Sequence, residues 1–292
     1  MFKLKLKAEV QALFQFNVRK KGSEEVIKTT SWFPNIVLNN GLDRLGGGGV
    51  SDYCRVGVGA STPAATQTQL DQQVASTSTL QGGTQFGVNS AQGYSYIRKT
   101  FRFDTGIAAG NISEVGVGWA GSGDNSLFNR ALIRDTSNNI TTVTVLSDEV
   151  LDVLVELRSY VSLTPKSALV SVSGTQYELV IQPYISSDVG IFSTAYACTG
   201  SNGYSGAIAN ATSAPAGHLG SFGVVNKTYI PGTLKRDFEV FWGLNSGNAA
   251  PLRTVVSSTP YCTYQVELTP AIPKTSETVL RLAFQVSWGR YE

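Results

Sequence analysis

Apolar and polar residues alternate with a period of two along most of this chain. In the first run, "FKLKLKAEVQALFQFNV" (residues 2–18), Phe2, Leu4 and Leu6 fall on one side and Lys3, Lys5 and Lys7 on the other. Successive side chains of a strand point to opposite faces, so the pattern predicts a half-buried strand, interrupted once near Ala12. "KKGSE" (20–24) has turn composition and "EVIKTTSWF" resumes the alternation, which predicts a hairpin. The early lysines suit a secretory leader, but their strict alternation with apolar residues leaves no continuous apolar segment.

The same signal recurs downstream. "YCRVGVGAS" (53–61), "YSYIRKTFRFDTG" (94–106) and "ITTVTVLSDEVLDVLVELRSYVSL" (140–163) read as strands. In the last of these Leu151, Val153, Val155 and Leu157 share one face, with Asp152, Leu154, Glu156 and Arg158 opposite. "GNISEVGVGWAGSGDNSLFNRALI" (110–133) reads as strand, turn, strand. Its glycines are expected to face a bulky neighbour, Trp119 or a tyrosine, and to form the turn at Gly121–Gly123. Asn39 is expected to cap a short helical turn through Leu45. Residues 62–74 read as a short helix or an extended connector. The Ser/Thr/Gln/Gly-rich stretch 76–92 and the Gly/Ser/Ala-rich stretch 186–223 read as long loops.

"TPKSA" (164–168) is the expected boundary between two mainly antiparallel β-sandwich-like domains, residues 1–165 and 166–292, in an all-β protein. Beyond it, "YELVIQPYI" and the closing "ETVLRLAFQVSWGRYE" read as strands, the latter with Leu280, Leu282, Phe284, Val286 and Trp288 in alternation. The two halves echo each other. "EVLDVLVEL" matches "TVLRLAFQV", "YIRKTFRFDTG" matches "YIPGTLKRDFEVFWG", and "TTVTV" matches "CTYQVEL".

Composition narrows the function. Only 15% of the 292 residues are charged and the formal net charge is +2, too little for a basic nucleic-acid footprint. No segment is long and apolar enough to cross a bilayer as a helix. Cys54, Cys198 and Cys262 have neither zinc spacing nor a disulfide framework, and read as small buried residues. Four Asn-x-Ser/Thr sequons (Asn111, Asn139, Asn210, Asn226) matter only in a secretory pathway, which nothing else indicates.

Candidate chemistry is sparse. The glycines of 110–133 lack the helix start of a dinucleotide fingerprint and the lysine of a phosphate loop. His218 is the sole histidine and lies in loop-like "APAGHLGS". Asp148, Glu149 and Asp152 are close in sequence, but on a strand Glu149 points away from the other two, so a polar strand start is expected rather than a metal or acid–base site. Glu114, flanked by apolar residues, is expected to be buried against Arg130. Lys3, Lys5 and Lys7 read as a solvated strand edge. No catalytic, cofactor-binding or metal-binding residue is assigned.

"NIVLNNGLDRLGGGG" followed by "CRVGVGASTPAATQTQL" resembles the start of structural proteins of tailed bacteriophages. "GNISEVGVGW", "LFNRALI" and "TVLSDEVLDVLVELRSY" resemble the second half of those domains, so the likeness covers about residues 35–163. The closing "YQVELTPAIPKTSETVLRLAFQVSWGR" resembles C-terminal strands of phage tail and fibre-associated proteins. The resemblance implies a non-enzymatic component of the virion, made in the bacterial host cytoplasm, in the tail, baseplate or fibre-attachment region. Its partners would be other virion proteins and copies of itself, with no cofactor, no nucleic acid and no membrane insertion. The alternative is a module that binds a host-surface glycan or receptor, with Tyr184, Tyr196, Tyr204, Tyr229, Trp242 and Trp288 as stacking platforms and 186–223 as a binding loop.

Overall fold

The computed structural model describes residues 3–172, 174–185, 192–260 and 262–292. The chain is all-β and mainly antiparallel. The first half runs β1 (Leu4–Lys20), β2 (Val26–Thr29), β3 (Phe33–Pro34), β4 (Ile36–Val37), the helical turn α1 (Asn39–Arg44), β5 (Tyr53–Gly57), β6 (Gln73–Thr77), β7 (Gln85–Asn89), β8 (Tyr94–Phe103), β9 (Gly110–Ile112), β10 (Glu114–Gly118), β11 (Asn129–Leu132), β12 (Val143–Val145) and β13 (Glu149–Tyr160). The second half runs β14 (Lys166–Val172), β15 (Thr175–Tyr184), β16 (Gly200–Tyr204), β17 (His218–Ser221), β18 (Gly223–Asn226), β19 (Lys235–Trp242), β20 (Leu252–Ser258), β21 (Thr263–Ile272) and β22 (Leu280–Arg290). Among the described residues no helix is long and apolar enough to cross a membrane.

β1 is the spine. It is about 55 Å long at roughly 3.3 Å per residue and is paired on both sides. β13 runs antiparallel along Glu9–Lys20, and β22 runs parallel along Leu4–Val10. β2 and β3 pair with the remaining length. The expected interruption at Ala12 does not occur. The even positions from Leu4 to Val18 are all buried, and Leu13 is simply an apolar residue on the opposite face. Nor are Lys3, Lys5 and Lys7 on an edge. Their strand is central, and they stand on the outer face of the sheet.

The large sheet has the order β18-β19-β22-β1-β13-β8-β7. The expected boundary near residue 165 therefore does not separate the sheets, because strands from both sides of it share this one, and buried side chains of both halves form one apolar cluster. What the boundary separates is a repeat. Before it, β7, β8 and β13 form a three-strand meander and β4-β11-β10-β5-β6 a second sheet; after it, β18, β19 and β22 form the meander and β15-β21-β20-β16-β17 the second sheet, with β14 added outside β15. Every corresponding pair is antiparallel. In each half the inner faces of the two sheets enclose a common core. One half supplies Leu151, Val153, Val155 and Leu157 from β13 and Cys54, Val56, Val115 and Val117 from its second sheet. The other carries Phe284, Val286, Trp288, Phe238, Val240, Leu252, Val255 and Val266.

The matched segments "EVLDVLVEL" and "TVLRLAFQV" lie in β13 and β22, equivalent places, as do the partners in β8 and β19. The third match fails. "TTVTV" forms β12, which pairs only with β9, whereas the counterpart of β21 is β11. A row across each meander is chemically repeated too: Gly87–Tyr96–Arg158 in one and Gly223–Phe241–Arg281 in the other. Each glycine leaves room for the neighbouring ring, since a Cβ would lie 2.4 Å from Tyr96 or 2.5 Å from Phe241.

Local expectations are refined at four places. Asn39 is the first helical residue, not the cap; Leu38 holds the cap position and makes no side-chain cap bond. Of the two readings of 62–74 the connector holds for 62–72, which is irregular, while Gln73 and Val74 already belong to β6. The "loop" 76–92 contains the end of β6 and all of β7, because β7 adds to the edge of β8. The stretch 186–223 begins with 186–191, outside the described residues, and its remainder includes β16 and β17.

Leu151 and Leu157 are fully buried on β13. Replacing either by alanine is expected to lower stability by about 2–5 kcal/mol, measured by denaturant or thermal unfolding. An unchanged midpoint would mean that the strand phase is wrong.

Candidate functional site

Two networks of charged side chains stand out, and each is built from neighbouring strands. The first is internal. Glu114 opens β10 and faces Arg130 on β11, whose neighbouring residue Ala131 pairs with Val115. Both side chains are fully buried, with Arg130 Nε 2.9 Å from Glu114 Oε2. The Glu114 carboxylate also accepts from the amides of Gly59 (3.0 Å), Asp71 (3.1 Å) and Gln72 (2.8 Å). Arg130 donates further to Gln67 Oε1 (2.8 Å), Ser61 Oγ (3.2 Å) and Asp71 Oδ2 (2.8 Å). The pair expected from the sequence thus forms, and it clamps the connector 59–72 onto the second sheet.

This network accounts for "VGVGAS". A Cβ at Gly59 would lie 2.4 Å from Glu114 Oε1, and one at Gly57 would lie 2.6 Å from it. Gly116 and Gly118 are close to backbone, not to Trp119 or a tyrosine as expected; their nearest neighbours are the carbonyl oxygens of Asn129 and Ser126. The turn after β10 is held by a residue that no motif announced. Arg55, fully buried on β5, donates to the carbonyls of Ala120, Ser122, Gly123 and Ser126. Burial lowers its pKa, and the carbonyl cage supplies its hydrogen bonds.

The second concentration covers the outer face of the large sheet. Register aligns Asp152 with Arg102 and Asn17, Glu156 with Arg98 and Leu13, and Tyr160 with Tyr94 and Glu9. Asp152 receives Arg19 Nε at 2.8 Å and both Arg102 Nε and Nη2 at 2.8 Å. Glu156 receives Arg98 and Arg158. The arginine stems cover both carboxylates, leaving each 1% exposed. Aromatic rings continue the ladder. Arg158 lies 4.6 Å from the Tyr94 ring centroid and Arg98 4.8 Å from that of Tyr96. Tyr94 and Tyr160 are 4.9 Å apart, and Tyr291 stacks on Tyr160 at 3.7 Å and 14°.

The ladder ends at a cleft of about 290 Å³ between the halves. One wall is Lys5, Lys7 and Glu9 of β1 with Tyr160 and the link Val161–Thr164; the other is Lys166, Ile181, Pro183 and Tyr264, with Gln92 and Tyr291 also lining it. Lys7 pairs with Glu9 at 2.6 Å. Tyr264, buried on β21, donates to the Lys7 carbonyl and so ties the second sheet to β1.

The carboxylates 148, 149 and 152 do not converge. Glu149 is buried against Lys28 (3.1 Å) and the Leu146 amide (2.8 Å), Asp152 belongs to the arginine ladder, and Asp148 is exposed. His218 begins β17 rather than lying in a loop; its Nε2 is 3.4 Å from Asn202 Oδ1 and its ring is edge-on to Tyr204. Among the described residues no group of three or more His, Cys, Asp and Glu is placed to hold a metal ion. All three cysteines are buried and free, and burial pushes the thiols of Cys198 and Cys262 up to about 12.

The aromatics expected as platforms are largely internal. Tyr196 stacks on Trp288 at 4.4 Å and Trp242 on Phe222 at 4.1 Å, all buried. Tyr229 packs against Trp288 and hydrogen-bonds Asp43, and Tyr184 and Tyr204 are half-buried. Among the described residues the exposed rings are Trp32, Phe86 and Tyr291 instead. The spacing of Tyr94, Tyr96, Arg98 and Thr100 puts them on one side of β8, but a one-sided strand pattern does not say which face is outermost. Compared with protein-family models, with curated proteins and with solved structures, the chain has no match.

Two outcomes follow from the ion pairs. Removing one partner of a buried pair strands the other charge, at about 3–5 kcal/mol. Arg130→Met and Glu114→Gln are each expected to lose stability of that order in denaturant titrations, whereas an exposed charge change such as Asp148→Asn stays within about 0.5 kcal/mol. The pH dependence has a definite sign. Burial alone would raise the carboxyls of Asp71 and Glu149, but hydrogen bonds from Ser61 and Arg130, and from Leu146 and Lys28, outweigh it and hold both below their ordinary range. A folded pKa below the unfolded one stabilises above the unfolded value and is lost as pH falls through the folded value. The melting temperature is therefore expected to hold down to about pH 5 and to decline below about pH 4, in buffers of constant ionic strength.

Proposed function

We propose that this chain is a non-enzymatic structural component of a tailed-bacteriophage virion, in the tail, baseplate or fibre-attachment region, that assembles with copies of itself and with other virion proteins. The observation that carries the reading is the state of the sheet edges. β7 and β18 end the large sheet, β6 ends the second sheet of the first half and β14 that of the second. Each presents exposed apolar side chains: Phe86 and Val88, Val225, Val74, and Leu169 at 65% exposure. Their sequences "QFGVN", "GVVN" and "QVAST" contain no charge, and "KSALVSV" has only its first lysine. Monomers protect such edges with charge, proline or a covering element; an assembled particle covers them with neighbours. The buried carboxylates support a structural role as well, since Glu114, Glu149, Asp152 and Glu156 are each engaged by cations. The resemblance of residues 35–163 and of the closing strands to phage structural proteins supplies the setting, and a particle made in the bacterial cytoplasm suits buried free thiols.

Light scattering after size-exclusion chromatography tests the reading. The purified chain is expected to run as a homo-oligomer, and Phe86→Asp with Leu169→Asp to lower its mass while leaving the far-UV spectrum unchanged. A monomer at every concentration, absent from purified virions of its host phage, would overturn the proposal.

A further inference from the structure

We infer that the cleft between the two halves is a binding site for a carboxylated sugar, such as a hexuronate or sialate residue of a surface polysaccharide. This inference rests on the cleft alone and stands apart from the assembly reading.

Three features select the ligand class. The first is charge. Lys5, Lys7 and Lys166 line the cleft against one carboxylate, Glu9, which Lys7 already engages. Lys5 and Lys166 make no ion pair among the described residues, although they come from strands of different halves. Two lysines without an ion pair lining one partly enclosed space favour an anion there, and low-dielectric walls strengthen that attraction. The second is a flat apolar surface. Tyr291 is stacked on Tyr160 through one face and is 41% exposed. Its free face offers the kind of support on which the C–H face of a pyranose packs. Its orientation is fixed by the ring beneath, and that ring by the hydrogen bond from Tyr160 Oη to Gln11 Oε1 at 3.0 Å. The third is neutral polar capacity. Gln92, Ser162 and Thr164 are exposed at the cleft and can donate to or accept from sugar hydroxyls. The volume of about 290 Å³ suits one or two sugar rings rather than a folded partner. A bare inorganic anion would use the lysines and leave Tyr291 idle. A neutral sugar would use the ring and leave the lysines idle.

The experiment is isothermal titration of the full chain with tetragalacturonate, its methyl-esterified form, sialyl-lactose, lactose and sodium sulfate. At least one acidic saccharide is expected to bind, with its neutral counterpart weaker by about tenfold or more, and binding is expected to weaken as salt rises. Lys5→Ala and Lys166→Ala should each cost about threefold, and Tyr291→Ala about tenfold. Tyr291→Phe, which keeps the ring, should bind as the parent does. If Tyr291→Ala does not fold, the two lysine variants and Tyr291→Phe still carry the test. No binding of either acidic sugar, equal binding of the neutral partners, or competition by sulfate at matched concentration would each overturn the inference. So would binding that survives both lysine changes.

Discussion

The two-sided pairing of β1 is the constraint on which the rest depends. Eight alternate side chains from Leu4 to Val18 are buried on one face. A slip of one residue would bring Lys5, Lys7 and Arg19 into the core and expose the apolar set, so the register is strongly specified. β13 then reads that register from one side and β22 from the other. A parallel partner cannot be reached by a tight turn. Here the connection from β1 to β22 is the whole intervening chain, and this is how two halves with the same strand order become one sheet.

The same economy governs the charges. With few ionisable residues, the protein places many of them where they fasten one element to another. Glu114 and Arg130 hold the connector 59–72. Arg55 holds the turn after β10. Asp152 and Glu156 lie between arginines that cross β1, β13 and β8. Isolated burial of such groups would be costly, and their hydrogen bonds are what makes the burial tolerable. The other exposed charges are scattered, and the edge strands β6, β7 and β18 carry none of their own, while Lys5 and Lys166 line the central cleft.

Much of the fold was legible because period-two patterning follows directly from strand geometry. β1, β8, β13 and β22 were recognisable, and Glu114 with Arg130 was readable because a carboxylate among valines requires a cation close by. The repeat showed through in two of its three matched segments. The β7 strand was hidden because "QFGVN" is glycine-bearing and sits in a Ser/Gln-rich stretch, and pairing with β8 is what makes it a strand. The role of Arg55 was hidden because backbone carbonyls carry no sequence signature.

By itself the sequence determined the all-β class, the inward and outward faces of the long strands, and the buried acid–base pair, since these depend on side chains within a few residues or on the cost of burying a charge. The tertiary structure decided which strands meet. Sheet order is set by contacts far apart in the chain, and so is the difference between a core ring and a surface ring. Tyr196, Trp242 and Trp288 became interior because two sheets close over them, whereas Tyr291 became an exposed, stacked ring because Tyr160, on a strand of the other half, lies beneath it. The cleft exists only where β1 brings Lys5 near Lys166, and that juxtaposition across 161 residues of sequence has no local trace.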